Sequence, residues 1–246
     1  MKTYKDVAKV YFKRREDKKR FDFNRDIEVP AMIKMIGPVR SKSVLDVGCG
    51  FGDHARLLSK KNPKKIVGFD LSKEFVDLAK SLKIKNSEFY LGDMNKKFKF
   101  KDSSFDIVYS SLAIHYAKDI DKLFKEVRRI LKKGGAFVFS TGHPIFNLIN
   151  QSNNHLIGVR KTSGQRHIFG NYFDESLKLS DLGPMGKFVL RNFTFETLIS
   201  AGLKNSFELV DYVDAKPISS SRKIDADKYR LTTTLPTFML FKFKKK

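Results

Sequence analysis

A single cysteine, Cys49, is all that the 246 residues contain, so no disulfide can close within the chain. That scarcity fits a reducing cytoplasm. Long apolar runs are missing as well: nothing approaches the roughly 18 residues that a membrane span needs. The opening MKTYKDVAKVYFKRRE carries charges where a secretory leader has its apolar centre. Acids are in short supply, 27 against 49 Lys and Arg, which leaves a formal charge of +22. Such an excess points toward nucleic acid. Its distribution argues for caution. Residues 1–20 and 216–246 are strongly basic, yet Lys is spread along almost every expected helix, and residues 194–215 are net acidic. Solvated lysine faces and a dedicated polyanion site both remain open. The five histidines show no metal-ligand spacing. The hydrophobic share, 41%, is ordinary for a globular protein, and the length suffices for one α/β domain with a sizeable core.

What is present is an alternation of strands and helices. Apolar runs predict strands at Ser43–Val47, Lys65–Phe69, Ser87–Leu91, Phe105–Tyr109 and Ala136–Ser140. Between them the pattern predicts a helix at Asp53–Lys60 and one capped by Ser72, with Phe75, Val76, Leu78 and Ala79 inward. A third is predicted at Ile120–Leu131, with Gly134 and Gly135 as its stop. This alternation makes a mostly parallel sheet covered by helices on both faces. The regularity pauses over His143–Asn192, where a hairpin is expected around Thr162–Arg166. It returns as a helix at Thr194–Ala201 and strands at Phe207–Val213 and Thr237–Phe243, a late pair able to form an antiparallel edge. The terminal KFKKK reads as a frayed end.

The densest information lies in Val44-Leu45-Asp46-Val47-Gly48-Cys49-Gly50-Phe51-Gly52-Asp53. A strand runs directly into a glycine turn and then a helix, beyond the carboxyl ends of the strands, where open parallel sheets bind ligands. The dinucleotide fingerprint would need Gly or Ala at the position of Asp53, and the spacing is G-x-G-x-G instead. The next strand ends in Asp70, a carboxylate able to accept two ribose hydroxyls. The third is followed by Gly92-Asp93-Met94. Three acids at successive strand ends after one glycine turn are more specific than any of them alone.

This constellation resembles the class I S-adenosylmethionine (SAM)-dependent methyltransferases. Ser104-Phe105-Asp106-Ile107-Val108-Tyr109-Ser110-Ser111 resembles their motif IV, and Leu123 through Gly135 the helix and turn before strand five. Over residues 44–140 the match is to the broad group around the ubiquinone/menaquinone-biosynthesis methyltransferases. Asn24 through Pro30 resembles the N-terminal cover of some small-molecule members. The resemblance implies a Rossmann-like, seven-stranded sheet with an antiparallel edge strand and a lid-like insertion after strand five. It implies one domain over 1–246: a cover (1–40), a SAM-binding core (43–142), a substrate-cover insertion (143–193) and a C-terminal helix and strands (194–246). It implies S-adenosyl-L-methionine as cofactor, with the glycine turn at its methionine end, Asp70 on the ribose, Asp93 on the adenine amino group and Met94 beside the ring. Asp46, Gly48, Gly50, Leu71 and Ser110 complete the expected cofactor contacts.

The acceptor is less constrained. Enzymes that methylate base amines carry an Asn/Asp-Pro-Pro-aromatic motif where this chain has Ser110-Ser111-Leu112-Ala113, and cytosine C5 chemistry needs a cysteine nucleophile where Cys49 reads as a small buried residue. Two histidines follow strands on the expected catalytic side: His115 after the fourth and His143 after the fifth. Either could serve as a base near neutral pH or shape a loop. Phe146, His155, Arg160, Arg166, His167, Phe169, Tyr172 and Phe173 give the insertion an aromatic and basic character, suited to covering a pocket. A small-molecule acceptor is expected. An RNA or ribonucleoprotein acceptor and a catalytically silent SAM-binding scaffold are the alternatives.

Overall fold

The computed structural model describes residues 4–149, 158–162, 165–169, 171–181 and 187–246, with side chains described for residues 8, 10–146, 171–179 and 188–246. Its centre is a seven-stranded sheet. In chain order the strands are β1 (Ser43–Val47), β2 (Lys65–Asp70), β3 (Ser87–Leu91), β4 (Phe105–Ser111), β5 (Leu131–Gly142), β10 (Phe207–Asp214) and β11 (Phe238–Lys245). In space they run β10-β11-β5-β4-β1-β2-β3. The pairs among β1 to β5 are parallel, while β11 runs antiparallel to both β5 and β10. The β10–β11 pair is thus the antiparallel end of the sheet. The chain reverses direction across the sheet between β1 and β4, so a crevice opens there, above the carboxyl ends of the strands.

Helices cover both faces. On one lie α5 (Ile120–Ile130) and α7 (Phe195–Lys204). Asp119 caps α5 by accepting from the Lys122 N–H, and Ile120, Leu123, Phe124, Val127 and Ile130 form its buried stripe. Phe124, Phe137, Phe139, Phe207, Phe241 and Phe243 meet there in one aromatic core, and burying each such ring contributes about 2–3 kcal/mol. On the other face lie α2 (Val29–Ile36), α3 (Asp53–Ser59) and α4 (Lys73–Ser81). Met32, Met35, Ile36, Ala55, Leu58, Val76 and Ala79 bury against the sheet. The Ser72 cap forms as expected, its hydroxyl accepting from the Phe75 N–H.

Several sequence expectations change. Gly134 and Gly135 do not stop α5: it ends at Ile130, Leu131 is already extended and pairs with Phe105, and the glycines lie in an irregularity at the entry of β5. The terminal KFKKK is not frayed: Phe243 is fully buried, Lys244 pairs with Ala136, and the Lys245 ammonium donates to the Leu131 carbonyl at 2.6 Å. Helices unread in the sequence precede and follow the core: α1 (Tyr4–Glu16), a π-helical turn at Asn24–Glu28, and α8 (Ala226–Thr234).

After β5 come α6 (Pro144–Ile149), the expected hairpin as β6 (Gly158–Thr162) with β7 (Gln165–Phe169), and a second hairpin of β8 (Lys178–Asp181) with β9 (Lys187–Leu190). Phe146 is buried and packs on Phe23 of the N-terminal segment at 6.0 Å. Phe173 is 78% exposed. The side chains of His155, Arg160, Arg166, His167 and Phe169 lie outside the described residues. Among the described residues, no helix is long and apolar enough to cross a membrane.

Candidate functional site

At the exit of β1 the backbone turns sharply and is pinned to its neighbour: the N–H groups of Gly48 and Cys49 both donate to the Phe69 carbonyl, at 2.9 and 3.0 Å. Gly48 has φ +76°, and a Cβ there would lie 2.5 Å from the Ala113 Cβ. Glycine is required twice over, by conformation and by contact. Gly50 has φ +52°, yet nothing stands within 4 Å of where its Cβ would be. The turn is therefore closed on the Ala113 side and open above Gly50. Among the described residues the glycine turn thus offers a backbone cradle at the switch point of the sheet.

Asp70 closes the neighbouring corner. Its Oδ2 accepts from the Gly50 N–H and its Oδ1 from the Ser72 N–H, both at 2.9 Å. Burial pushes its pKa up, against the backbone donors of Ser72, Gly50 and Leu71 that favour the charge. Leu71 stands 66% exposed beside it. After β3, Asp93 Oδ1 accepts from the Asn95 N–H at 2.9 Å, and Asn95 in turn accepts from the Lys118 N–H at 2.7 Å. This links the third strand end to the loop after β4. Met94 packs on the aromatic core, and its Cε lies 3.4 Å from the notional Gly48 Cβ. The structure thus brings Gly48, Gly50, Asp70, Leu71, Asp93 and Met94 around one rim.

Asp46 and Ser110 lie beneath that rim. The Tyr109 hydroxyl donates to Asp46 Oδ2 at 2.7 Å, while the buried Oδ1 has no partner among the described residues. Burial pushes this carboxyl up to about 7. Ser110 is fully buried and its hydroxyl donates to the Val47 carbonyl at 2.8 Å, so it braces β4 on β1 and does not face the rim.

The two histidines have different surroundings. His143 is buried, and its Nδ1 accepts from the Ile145 N–H at 3.2 Å. The neutral ring therefore carries its proton on Nε2, which faces Asp214 Oδ1 at 3.4 Å. Tyr212 also donates to that Asp214 oxygen, at 2.5 Å. Burial pushes the His143 pKa down, with Asp214 opposing. Its lone pair is already used, which argues against a base role. His115 sits in the short 3-10 turn Ile114–Tyr116, and burial pushes its imidazole down to about 4. It is neutral at pH 7 and a weak base.

Sequence reading missed a charged cluster contributed by the N-terminal segment. Glu28 is fully buried, and its carboxylate meets His54 Nε2 at 3.1 Å and the hydroxyls of Ser111 and Ser140 at 2.8 and 2.6 Å. Arg15 bridges Asp22 at 2.9 Å and Asp53, in the first turn of α3, at 2.6 Å. The one sequence signal was a charged residue set between Ile27 and Val29.

The geometry agrees with the comparisons. Residues 45–139 match the family model described as a methyltransferase domain. The chain is 34% identical over 108 residues to a demethylmenaquinone methyltransferase of Thermotoga maritima, covering 44% of this chain and 46% of that one. It is 33% identical over 123 residues to a malonyl-[acyl-carrier protein] O-methyltransferase of a Marinomonas species, covering 49% and 45%. The chain spans about half the length of the curated relatives it matches. A crystal structure of an S-adenosylmethionine-dependent methyltransferase from Mesorhizobium loti superimposes with a TM-score of 0.72 at 26% identity, over 88% of this chain and 96% of that one. Over residues 45–139 the chain carries a methyltransferase domain, and its fold and glycine turn are similar to those of S-adenosylmethionine-dependent methyltransferases.

Proposed function

We propose that the chain transfers the methyl group of SAM to a small-molecule acceptor by in-line displacement. The observation that carries this reading is the cradle above Gly50, bordered by Asp70 and lying over the unpartnered Asp46 Oδ1. An open backbone turn, a carboxylate at the next strand end and a buried oxygen in want of a donor fit a cofactor that carries an ammonium, a ribose and an adenine. In this reading Gly48 and Gly50 give backbone contacts at the methionine end, with Asp46 below. Asp70 takes the ribose hydroxyls, Asp93 the adenine amino group, and Leu71 and Met94 flank the ring.

The sulfonium supplies a methyl group already activated for transfer. What remains for the protein is orientation and the exclusion of water, worth about 7–11 kcal/mol when complete. His143 holds the exit of β5 through the Ile145 N–H and Asp214, and His115 offers a neutral ring after β4. Neither is poised to take a proton at pH 7, so the reading favours an acceptor atom that needs no strong base.

The small-molecule class is supported by relatives named as demethylmenaquinone and malonyl-[acyl-carrier protein] methyltransferases and by the insertion that follows β5. Methyl-labelled SAM, incubated with the protein and a cell extract, should leave label in a low-mass fraction. Label that disappears with nuclease would overturn the small-molecule class. No transfer to any fraction would favour a binding scaffold.

A further inference from the structure

The N-terminal segment contains a π-helical turn, Asn24–Glu28, a rare element in proteins. Such wide turns re-aim one side chain and are frequent at functional sites. Here the side chain is Glu28. It is fully buried, where an unpaired carboxylate would cost several kcal/mol. It is matched by three donors from three separate elements: His54 of α3, Ser111 of β4 and Ser140 of β5. Burial opposes the charge on both partners, but the pairing wins: Glu28 is held below its ordinary range and His54 above it.

Ser140 passes the contact on. Its hydroxyl proton goes to Glu28, which turns its lone pairs toward the Leu112 N–H at 3.0 Å. The Ser140 carbonyl also accepts from Leu112, at 3.2 Å. Leu112 has φ +47°, a left-handed conformation that costs a branched side chain about 1–2 kcal/mol. That turn delivers Ala113 against Gly48, whose missing Cβ makes room for it. An unbroken series of contacts therefore runs from Glu28 through Ser140 and Leu112 to the glycine turn.

We propose that Glu28 is a positioning residue of the SAM site: by holding Ser140 and Ser111 it fixes the left-handed turn at Leu112 that packs Ala113 on Gly48. The N-terminal segment is then a working wall of the site. This inference rests on the SAM reading of the glycine turn.

The test is calorimetric binding of SAM to the full chain and four variants, with thermal unfolding of each as a folding control. Glu28→Ala should weaken binding at least about tenfold. Glu28→Gln should stay within about threefold of wild type, because its amide oxygen can accept both hydroxyls and its NH2 can face a neutral His54. Ser140→Ala should lose about as much as Glu28→Ala. The double variant Glu28→Ala/Ser140→Ala should be no worse than the weaker single, since both cut one series of contacts. Wild-type affinity in both single alanine variants, losses that multiply, or no rescue by Gln would each overturn the proposal. If Glu28→Ala fails to fold, Ser140→Ala with unchanged affinity suffices to overturn it. A wild-type chain that binds no SAM overturns the cofactor reading and this inference together. A wild type that binds, beside unaffected variants, overturns this inference alone.

Discussion

The Tyr109 hydroxyl donates to one oxygen of Asp46 at 2.7 Å and leaves the other oxygen buried without a partner among the described residues. Half of this carboxylate is satisfied by the fold, and the other half is the oxygen assigned to the cofactor in the proposed function. Burial raises its folded pKa to about 7, above the ordinary value. A raised acid contributes stability that is fully present below its unfolded pKa, near 4, and is lost as pH rises through about 7. Asp46→Asn cannot ionise. It should therefore unfold at a higher temperature than wild type at pH 8, by roughly 1–3 kcal/mol of stability, and differ little at pH 4. The same variant should bind SAM more weakly. Thermal melts at the two pH values, with and without SAM, check both halves.

Asp70 sits between Gly50 and Ser72 and braces the turn as well as facing the rim. Asp70→Ala removes two acceptors for backbone donors and the proposed ribose contact. Affinity for SAM should drop by about 2–3 kcal/mol, the scale of hydrogen bonds to a charged group. Asp70→Asn, which keeps an acceptor oxygen, should lose less. Titration calorimetry of the two variants gives the ranking. Equal affinity in Asp70→Ala and wild type would remove the ribose role.

The glycines of the turn should separate by mechanism. Gly48→Ala meets the Ala113 Cβ at 2.5 Å with φ at +76°, so it should destabilise the fold by about 2–4 kcal/mol. Gly50→Ala has open space and only the conformational penalty of φ +52°, about 1 kcal/mol. Its methyl would project into the cradle, so its effect should fall on SAM binding. Denaturant midpoints against SAM affinity distinguish the two, and a Gly50→Ala chain that binds SAM normally would remove the cradle.

His143 supplies a pH test. Loss of a true general base slows turnover about 100- to 10,000-fold and removes a limb of the pH–rate profile. With both ring nitrogens engaged by Ile145 and Asp214, His143→Ala should lose less than about tenfold in kcat, keep the profile's shape, and lower the thermal midpoint. A vanished acid limb would restore the base assignment.

Strands β1 to β5 were legible because each is an apolar run ending in glycine, acid or serine, and Ser72 was legible as a cap because it precedes an amphipathic run. Glu28 was not, because its partners His54, Ser111 and Ser140 lie 26, 83 and 112 residues away. Its apolar neighbours Ile27 and Val29 are the one local feature that sets it apart from a solvated glutamate, and they name none of its partners. His143 is read as available from sequence because Asp214, which its Nε2 faces at 3.4 Å, lies 71 residues away (214 − 143). The terminal lysines hid a strand because charge outweighed alternation, although Phe241 and Phe243 point inward while Lys242 and Lys244 interleave them.

The position of β11 has a consequence for how the chain is made. The last strand in sequence is neither first nor last in the sheet but the seam between β5 and β10. On a ribosome, β5 must wait with one edge open, and β10 with no strand partner, until residues 238–245 emerge. During that interval Phe139 and Phe207 lack the rings of Phe241 and Phe243 that pack on them in the finished core. The exposed, aromatic sheet edge therefore closes only after the other six strands have been made, and such an edge draws chaperones and promotes aggregation when translation stalls.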